Sequence, residues 1–335
     1  MTPPDAMALP APPELLIFLF GLTFVLHLAF LGLLVAGLWA RAGAEWGKHG
    51  AYLIEPLHRA GVMGFSTTIT AGVAPLLFVQ VLYGKYFYSS SISIGYPWLS
   101  IIAYLLIGFY SLYLWRWRWE KSGGPSGWGK FYVILSIAAV YAIAFTYSWN
   151  HLLSLSIRPW ADVISHFDAT HRLFGYGGGA AVASGAWGLW AGHSWRGDRT
   201  PPRGASIALV LGAILLAIWG MTSDFAAGSW GYGGWGGIQL GALLSLVAGL
   251  LGFMKKITLA RWASFLAAAV ALVGLTLQRE SYRLMMLTGD YNVADETIRS
   301  QWGPFVMFGL VFVLGIATLV WLLVQVRRAQ TNLIQ

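Results

Sequence analysis

His27 is the residue in this chain whose position most invites chemistry. Residues Glu14 to Ala40 read ELLIFLFGLTFVLHLAFLGLLVAGLWA, and His27 is the one ionisable group between Leu15 and Ala40. It lies about 20 Å along a helix that starts at Glu14, at 1.5 Å per residue. An ionisable side chain in hydrocarbon is costly, so it needs a partner or a function. Neutral imidazole is a common ligand of metal ions and of haem iron.

Three more histidines are expected on the same side. His151 follows Asn150 in TYSWNHLL, and His166 and His171 lie in ISHFDATHRLFGYGGG. His27, His171 and His151 are the candidate cofactor-binding residues, with His27 and His171 as metal ligands. Met221 is the best-placed thioether for an axial position, with Met63 and Met307 as alternatives. The bland reading of each is an interface residue bonded to backbone or water, and His166 fits it better than the others. His49 and His193 fall in polar connections and read as solvated. His58, beside Arg59, reads as a snorkelling interface residue.

The elements that must position these groups are membrane helices. The chain has 335 residues, 57% of them hydrophobic and 10% charged. Soluble domains carry roughly 25% charged residues. Runs of about 20 apolar residues mark spans. Nine are expected: 14–40, 60–83, 97–115, 130–152, 172–192, 205–222, 236–254, 258–277 and 303–326. The fold class is therefore all-α, a polytopic helix bundle forming one integral membrane domain over 1–335. The first thirteen residues hold no Lys or Arg. They do not make the basic start of a signal peptide, so the first helix is expected to be retained.

Basic residues alternate between the connections. One set holds Arg41, Lys48, Arg59, Arg116, Arg118, Lys121, Lys130, Arg196, Arg199, Arg203, Lys255, Lys256, Arg261, Arg327 and Arg328. The other holds Lys85, Arg158, Arg172, Arg279, Arg283 and Arg299, and the two sets account for all 21. The positive-inside rule places the N-terminus outside and the C-terminus in the cytoplasm. The net charge of +8 sits between apolar runs and does not indicate nucleic acid. The expected surroundings are a lipid bilayer and other membrane subunits.

What is absent narrows the chemistry. There is no cysteine, hence no disulfide, no thiolate ligand and no CxxCH haem attachment. Any haem would be held by His or Met. The Gly-rich patches at 175–179 and 228–237 lack the Lys-Ser/Thr of a phosphate loop. Small residues there suit close approach of a helix or of a flat macrocycle. Helices 1, 3, 4, 7 and 9 carry no interior carboxylate to deliver protons.

The segment Leu22-Thr23-Phe24-Val25-Leu26-His27-Leu28-Ala29-Phe30 resembles the LTxxxHxxF signature of the first helix of cytochrome bd quinol oxidase subunit I. The segment 65–99 is similar to that family's second helix and following loop, with Gly72, Gln80 and Gly84 in similar places. Nine spans with the N-terminus outside also fit. The tail, QRESYRLMML followed by SQWGPFVMFGLVFVLG, looks closer to smaller bd-like proteins that accompany c-type cytochromes. The resemblance implies a b-type haem on His27 near the outer surface. Three departures stand against a full oxidase. Arg172-Leu173-Phe174-Gly175 puts glycine where the family has a haem-ligating His, residues 99–115 lack the family's carboxylates, and the quinol loop is reduced to SDFAAGSWGYGGWGG.

The expected function is a bd-like subunit of a membrane oxidoreductase in the bacterial inner (plasma) membrane. It would move electrons between the quinone pool and a c-type cytochrome docked outside, on 279–302. The alternatives are an oxygen-reducing quinol oxidase subunit and a haem-free anchor for a peripheral redox protein.

The orientation is open to a direct check. Gly124→Cys and Thr200→Cys, each made in this cysteine-free chain, should resist an impermeant thiol reagent in intact cells and react after permeabilisation. Strong labelling in intact cells would reverse the orientation.

Overall fold

Several helix ends in this chain are set by proline, serine and glycine. The structure is a computed structural model that describes residues 8–47, 51–155, 203–222 and 234–332. Its helices are α1 (Pro13–Trp46), α2 (Ala51–Ser93), α3 (Gly95–Ser122), α4 (Gly127–Leu153), α5 (Arg203–Thr222), α6 (Gly234–Phe253), α7 (Ile257–Leu287) and α8 (Trp302–Asn332), with a 3-10 turn at Val293–Asp295. Pro13 opens α1, where its missing N–H costs nothing. Gly123 ends α3 at φ 68° and returns its N–H to the Trp119 carbonyl. That left-handed stop suits glycine. Ser126 then caps α4, accepting from the Gly129 N–H at 3.0 Å.

No strand occurs among the described residues. Among the described residues, seven helices are long and apolar enough to cross a membrane. In α5 the apolar stretch is shorter, Leu209–Ile218. The expected span 172–192 lies outside the described residues, as do His166, His171 and His193. The chain is thus an all-helical, multi-pass membrane protein by the length and composition of its helices. The outward faces carry Leu106, Leu211, Leu243, Leu266 and Leu314, all exposed, as a hydrocarbon solvent requires.

Two groups of helices build the interior. α1 to α4 pack mutually, and α5, α6 and α7 form a second group that meets the first through α1 and α7. The second group packs through small residues. A Cβ on Gly274 would lie 2.7 Å from the Gly237 carbonyl carbon and the Ile238 nitrogen, and one on Gly241 would lie 2.6 Å from the Ala271 Cβ. Backbones meet directly there, which is how membrane helices gain contact when burial from water gives no drive. The second glycine patch, 228–237, thus contributes Gly237 to helix packing. The buried Ser245 and Ser264 return their hydroxyls to their own helices.

Several expected spans are longer than their apolar runs. α2 continues to Ser93 instead of ending near 83, with non-helical angles at Tyr83 (φ −130°, ψ 29°). Tyr291 donates to the Leu82 carbonyl at 2.6 Å at that break, and an inserted side chain is a recognised cause of a kink. α7 continues to Leu287 instead of ending near 277. This corrects the placement of Arg279 and Arg283 in an outer connection.

The α6–α7 contact can be tested by size alone. Gly274→Val should lower the unfolding midpoint in detergent micelles, at about 1–3 kcal/mol for forced overpacking. Gly64→Ala, where a Cβ meets nothing within 4 Å, should leave the midpoint unchanged.

Candidate functional site

The polar side chains collect where α1 begins and α2, α4 and α7 end. His27 faces α2 across the first helix pair. Its Nδ1 lies 3.1 Å from the Thr68 carbonyl oxygen. A carbonyl only accepts, so Nδ1 carries the proton and donates. Nε2 therefore keeps the lone pair, the tautomer used by a histidine that ligates a metal. Gly72 makes room for the ring: a Cβ there would lie 2.9 Å from the His27 Cε1. Thr68 is fixed in turn, its hydroxyl donating to the Gly64 carbonyl at 2.7 Å.

His151 has the opposite assignment. It sits in the last turn of α4, 6% exposed. Its Nδ1 is 3.1 Å from Nη2 of Arg283. Guanidinium only donates, so Nδ1 accepts and Nε2 carries the proton. In this arrangement His151 presents an N–H, and it would have to release Arg283 to offer a lone pair. That separates it chemically from His27, although sequence position groups the two.

Arg279 and Arg283 were unexpected members of the site. Arg283 is 1% exposed. Its guanidinium carbon lies 4.3 Å from the Tyr83 ring centroid, and that of Arg279 lies 4.4 Å from Phe24. Both are 5.9 Å from the Phe20 centroid. Phe24 itself neighbours His27, with centroids 6.4 Å apart. Glu280 is the counter-charge, 3.6 Å from Arg283 Nη2, too long for a hydrogen bond. Among the described residues, Nε and Nη1 of Arg283, Nε2 of His151, Oε1 of Glu280 and both amide atoms of the buried Gln278 have no hydrogen-bond partner. Each such group costs about 1–3 kcal/mol, and more if charged. Asn150 ties the site to α2, donating to the Ser91 hydroxyl at 2.9 Å.

A sequence signal for these residues existed. The buried positions of α7 include Ala260, Ser264, Ala267, Ala271, Gly274, Gln278 and Ser281. That three-and-four spacing runs past Leu277 without a break, so the helix continues although hydropathy falls. Charges at 279, 280 and 283 ended the apolar window and disguised the continuation.

A covering layer lies over this end. Leu9 and Pro10 pair with the α7–α8 connection: the Leu9 N–H reaches the Thr297 carbonyl at 2.8 Å, and the Arg299 N–H reaches Leu9 at 2.9 Å. Leu9, Ala11, Tyr86 and Val293 join one buried cluster. Tyr291 lies in this layer, and burial with Glu296 nearby pushes its phenol up. It stays a neutral donor. Asp290, Asp295 and Arg299 are exposed here, and Glu296 is half-buried.

The opposite end holds a second buried polar cluster. Glu45, 2% exposed, accepts from Trp115 Nε1 and from the Ser126 N–H, each at 2.9 Å. Arg41 lies 5.1 Å from the Trp115 centroid. A Cβ on Gly129 would strike the Glu45 carboxylate. This cluster locks α1 onto the α3–α4 hairpin.

Fold and site together define a class: a multi-pass helical membrane protein with, among the described residues, a histidine held through Nδ1 by a backbone carbonyl and a buried arginine–histidine pair. No protein-family model matches the chain, and no curated protein matches it. Among the described residues, no three His, Asp or Glu gather as a metal site. Haem iron needs only one or two protein ligands. His171 lies outside the described residues. Met221 belongs to α5, and its side chain is not among those described.

The charge balance at this site predicts a stability order. Glu280→Gln removes the counter-charge of two arginines and should destabilise by about 3 kcal/mol, as for a broken buried pair. Glu14→Gln, at an exposed position, should change stability by less than about 0.5 kcal/mol. Chemical unfolding in mixed micelles measures both.

Proposed function

We propose that this chain is a b-haem-binding electron-transfer subunit of a membrane oxidoreductase, similar to cytochrome bd subunit I. It would pass electrons between the quinone pool and a c-type cytochrome outside the membrane. The observation that carries this reading is His27: Nδ1–H is held by the Thr68 carbonyl, Nε2 keeps its lone pair, and Gly72 leaves the ring its space. Two of these residues, His27 and Gly72, belong to the segments that carry the resemblance.

The residues fit a haem ligand set in part. His27 would supply one nitrogen ligand, and His171 or Met221 a second ligand. A b-type haem bound there would supply a one-electron carrier. Thr68 fixes the imidazole plane and raises its basicity as a ligand. Phe20 and Phe24 exclude water beside it, with rings 5.8 Å apart and stacked. Arg279 and Arg283 place positive charge nearby, which favours the reduced state of a neighbouring carrier.

Nine spans, an outer N-terminus and a bacterial plasma membrane complete the proposal. With Arg279 and Arg283 part of α7, the remaining connections are still richer in basic residues on the side assigned to the cytoplasm. The exposed Asp290 and Asp295 suit a basic cytochrome at the outer end, where complementary charge sets association rate.

The spectrum of the purified chain tests the reading. A pyridine haemochrome assay should show b-type haem. His27→Ala should abolish or shift a b-type band, and Gly72→Leu should do the same by displacing the ring. An unchanged reduced-minus-oxidised spectrum in both variants would exclude His27 as a ligand.

A further inference from the structure

We infer that the end of the bundle where α3 turns into α4 binds anionic phospholipid headgroups, through two exposed tryptophan–lysine pairs, Trp117–Lys121 and Trp46–Lys130. Lys121 Nζ lies 5.0 Å from the Trp117 ring centroid, and Lys130 Nζ lies 5.6 Å from that of Trp46. Both are within cation–π reach. An ammonium also carries three N–H donors, which a ring face leaves unsatisfied as hydrogen bonds. Neither lysine has an ion pair among the described residues. The acids described at this end are committed elsewhere. Glu120 takes Arg116 at 3.0 Å, and Glu45 accepts from Trp115 and the Ser126 N–H.

The helices bring these pairs to the depth of the headgroups. α3 has 28 residues, which span about 42 Å at 1.5 Å per residue. The hydrocarbon core is about 30 Å thick, so the last turns of α3 reach beyond it. Trp115 and Trp119 are used in packing, their rings 5.6 Å apart, in a cluster with Val133. Trp117 turns outward instead, 53% exposed, and Trp46 is 54% exposed. Glu45 contacts both α3 and the start of α4, so the two pairs lie at one end of the bundle.

The partner that fits must bring an acceptor to each ammonium and an apolar body to each ring. A phosphodiester carrying acyl chains does both. Net charge selects among phospholipids. A zwitterionic headgroup has its own ammonium, which competes with lysine for the phosphate, and an anionic one does not. No shared cavity is needed, because each pair seats its own headgroup. The charge pattern assigns this end to the cytoplasm, where the membrane surface is anionic. The inference uses no property of His27 and goes beyond the haem reading.

The test titrates the full chain, in a neutral detergent, with phosphatidylglycerol or phosphatidylcholine and counts bound lipids by native mass spectrometry. Up to two phosphatidylglycerols should bind at concentrations where phosphatidylcholine does not. Lys121→Gln and Lys130→Gln should each weaken one of them about fivefold, the usual worth of one lysine at an anionic surface. The double variant should abolish the preference, and Trp117→Leu with Trp46→Leu should weaken the same two lipids. Lys121→Arg with Lys130→Arg keeps the charge and should keep binding. Lys255 and Lys256 are equally exposed, in the α6–α7 turn. Lys255→Gln with Lys256→Gln therefore controls for net charge and should match the parent. Equal binding of the two lipids would overturn the inference. So would unaltered binding in the Lys121 and Lys130 double variant, or an equal loss in the Lys255 and Lys256 one. Displacement of the lipid by equimolar inorganic phosphate would make the occupant a free anion and overturn it as well. None of these readouts involves haem, so a chain without haem would end the proposed function and leave this surface standing.

Discussion

The burial of the Arg283 guanidinium constrains this end of the molecule more than any other single feature. An arginine stays charged at any ordinary pH, and a charge in an apolar bundle must be surrounded by groups that tolerate it. Here Tyr83 of α2, Phe20 of α1 and His151 of α4 do so together. One side chain of α7 thereby brings the two helix groups to a common point. Among the described residues the main contact between the two groups is that of α1 with α7. The cost of leaving Arg283 donors without acceptors is carried by that packing.

The same constraint separates the two histidines. A ring nitrogen opposite a carbonyl must donate, and one opposite a guanidinium must accept. Thr68 thus leaves His27 with a free lone pair at Nε2, and Arg283 leaves His151 with a free N–H. Residue type is identical and so is the expected side of the membrane. The partner decides which imidazole offers a lone pair and which offers an N–H.

Glu45 solves the parallel problem at the far end in another way. Its two oxygens accept from an indole and a helix-capping backbone N–H, and both donors are neutral. Such a carboxylate links α1, α3 and α4 through groups fixed by packing. Gly129 is required there because any side chain would occupy the carboxylate's position. Both ends of the first four helices are therefore pinned by a buried ionisable group, with apolar contacts such as Leu38 against Leu112 in one cluster between them.

The sequence by itself determined the helical class and the membrane environment. Hydropathy over about 20 residues needs no partner to be read. His27 stood out for the same reason: its cost depends on the surrounding run alone. Tertiary structure decided what hydropathy cannot express. α7 passes Leu277 because its buried period continues, although charges at 279, 280 and 283 end the apolar run. The two arginines are held here because aromatic rings on other helices receive them, and such contacts are between residues far apart in the chain. The tautomers of His27 and His151 were likewise fixed only when α2 and α7 came to face them. A proton's place on a ring depends on a partner in space, and sequence spacing does not give that partner.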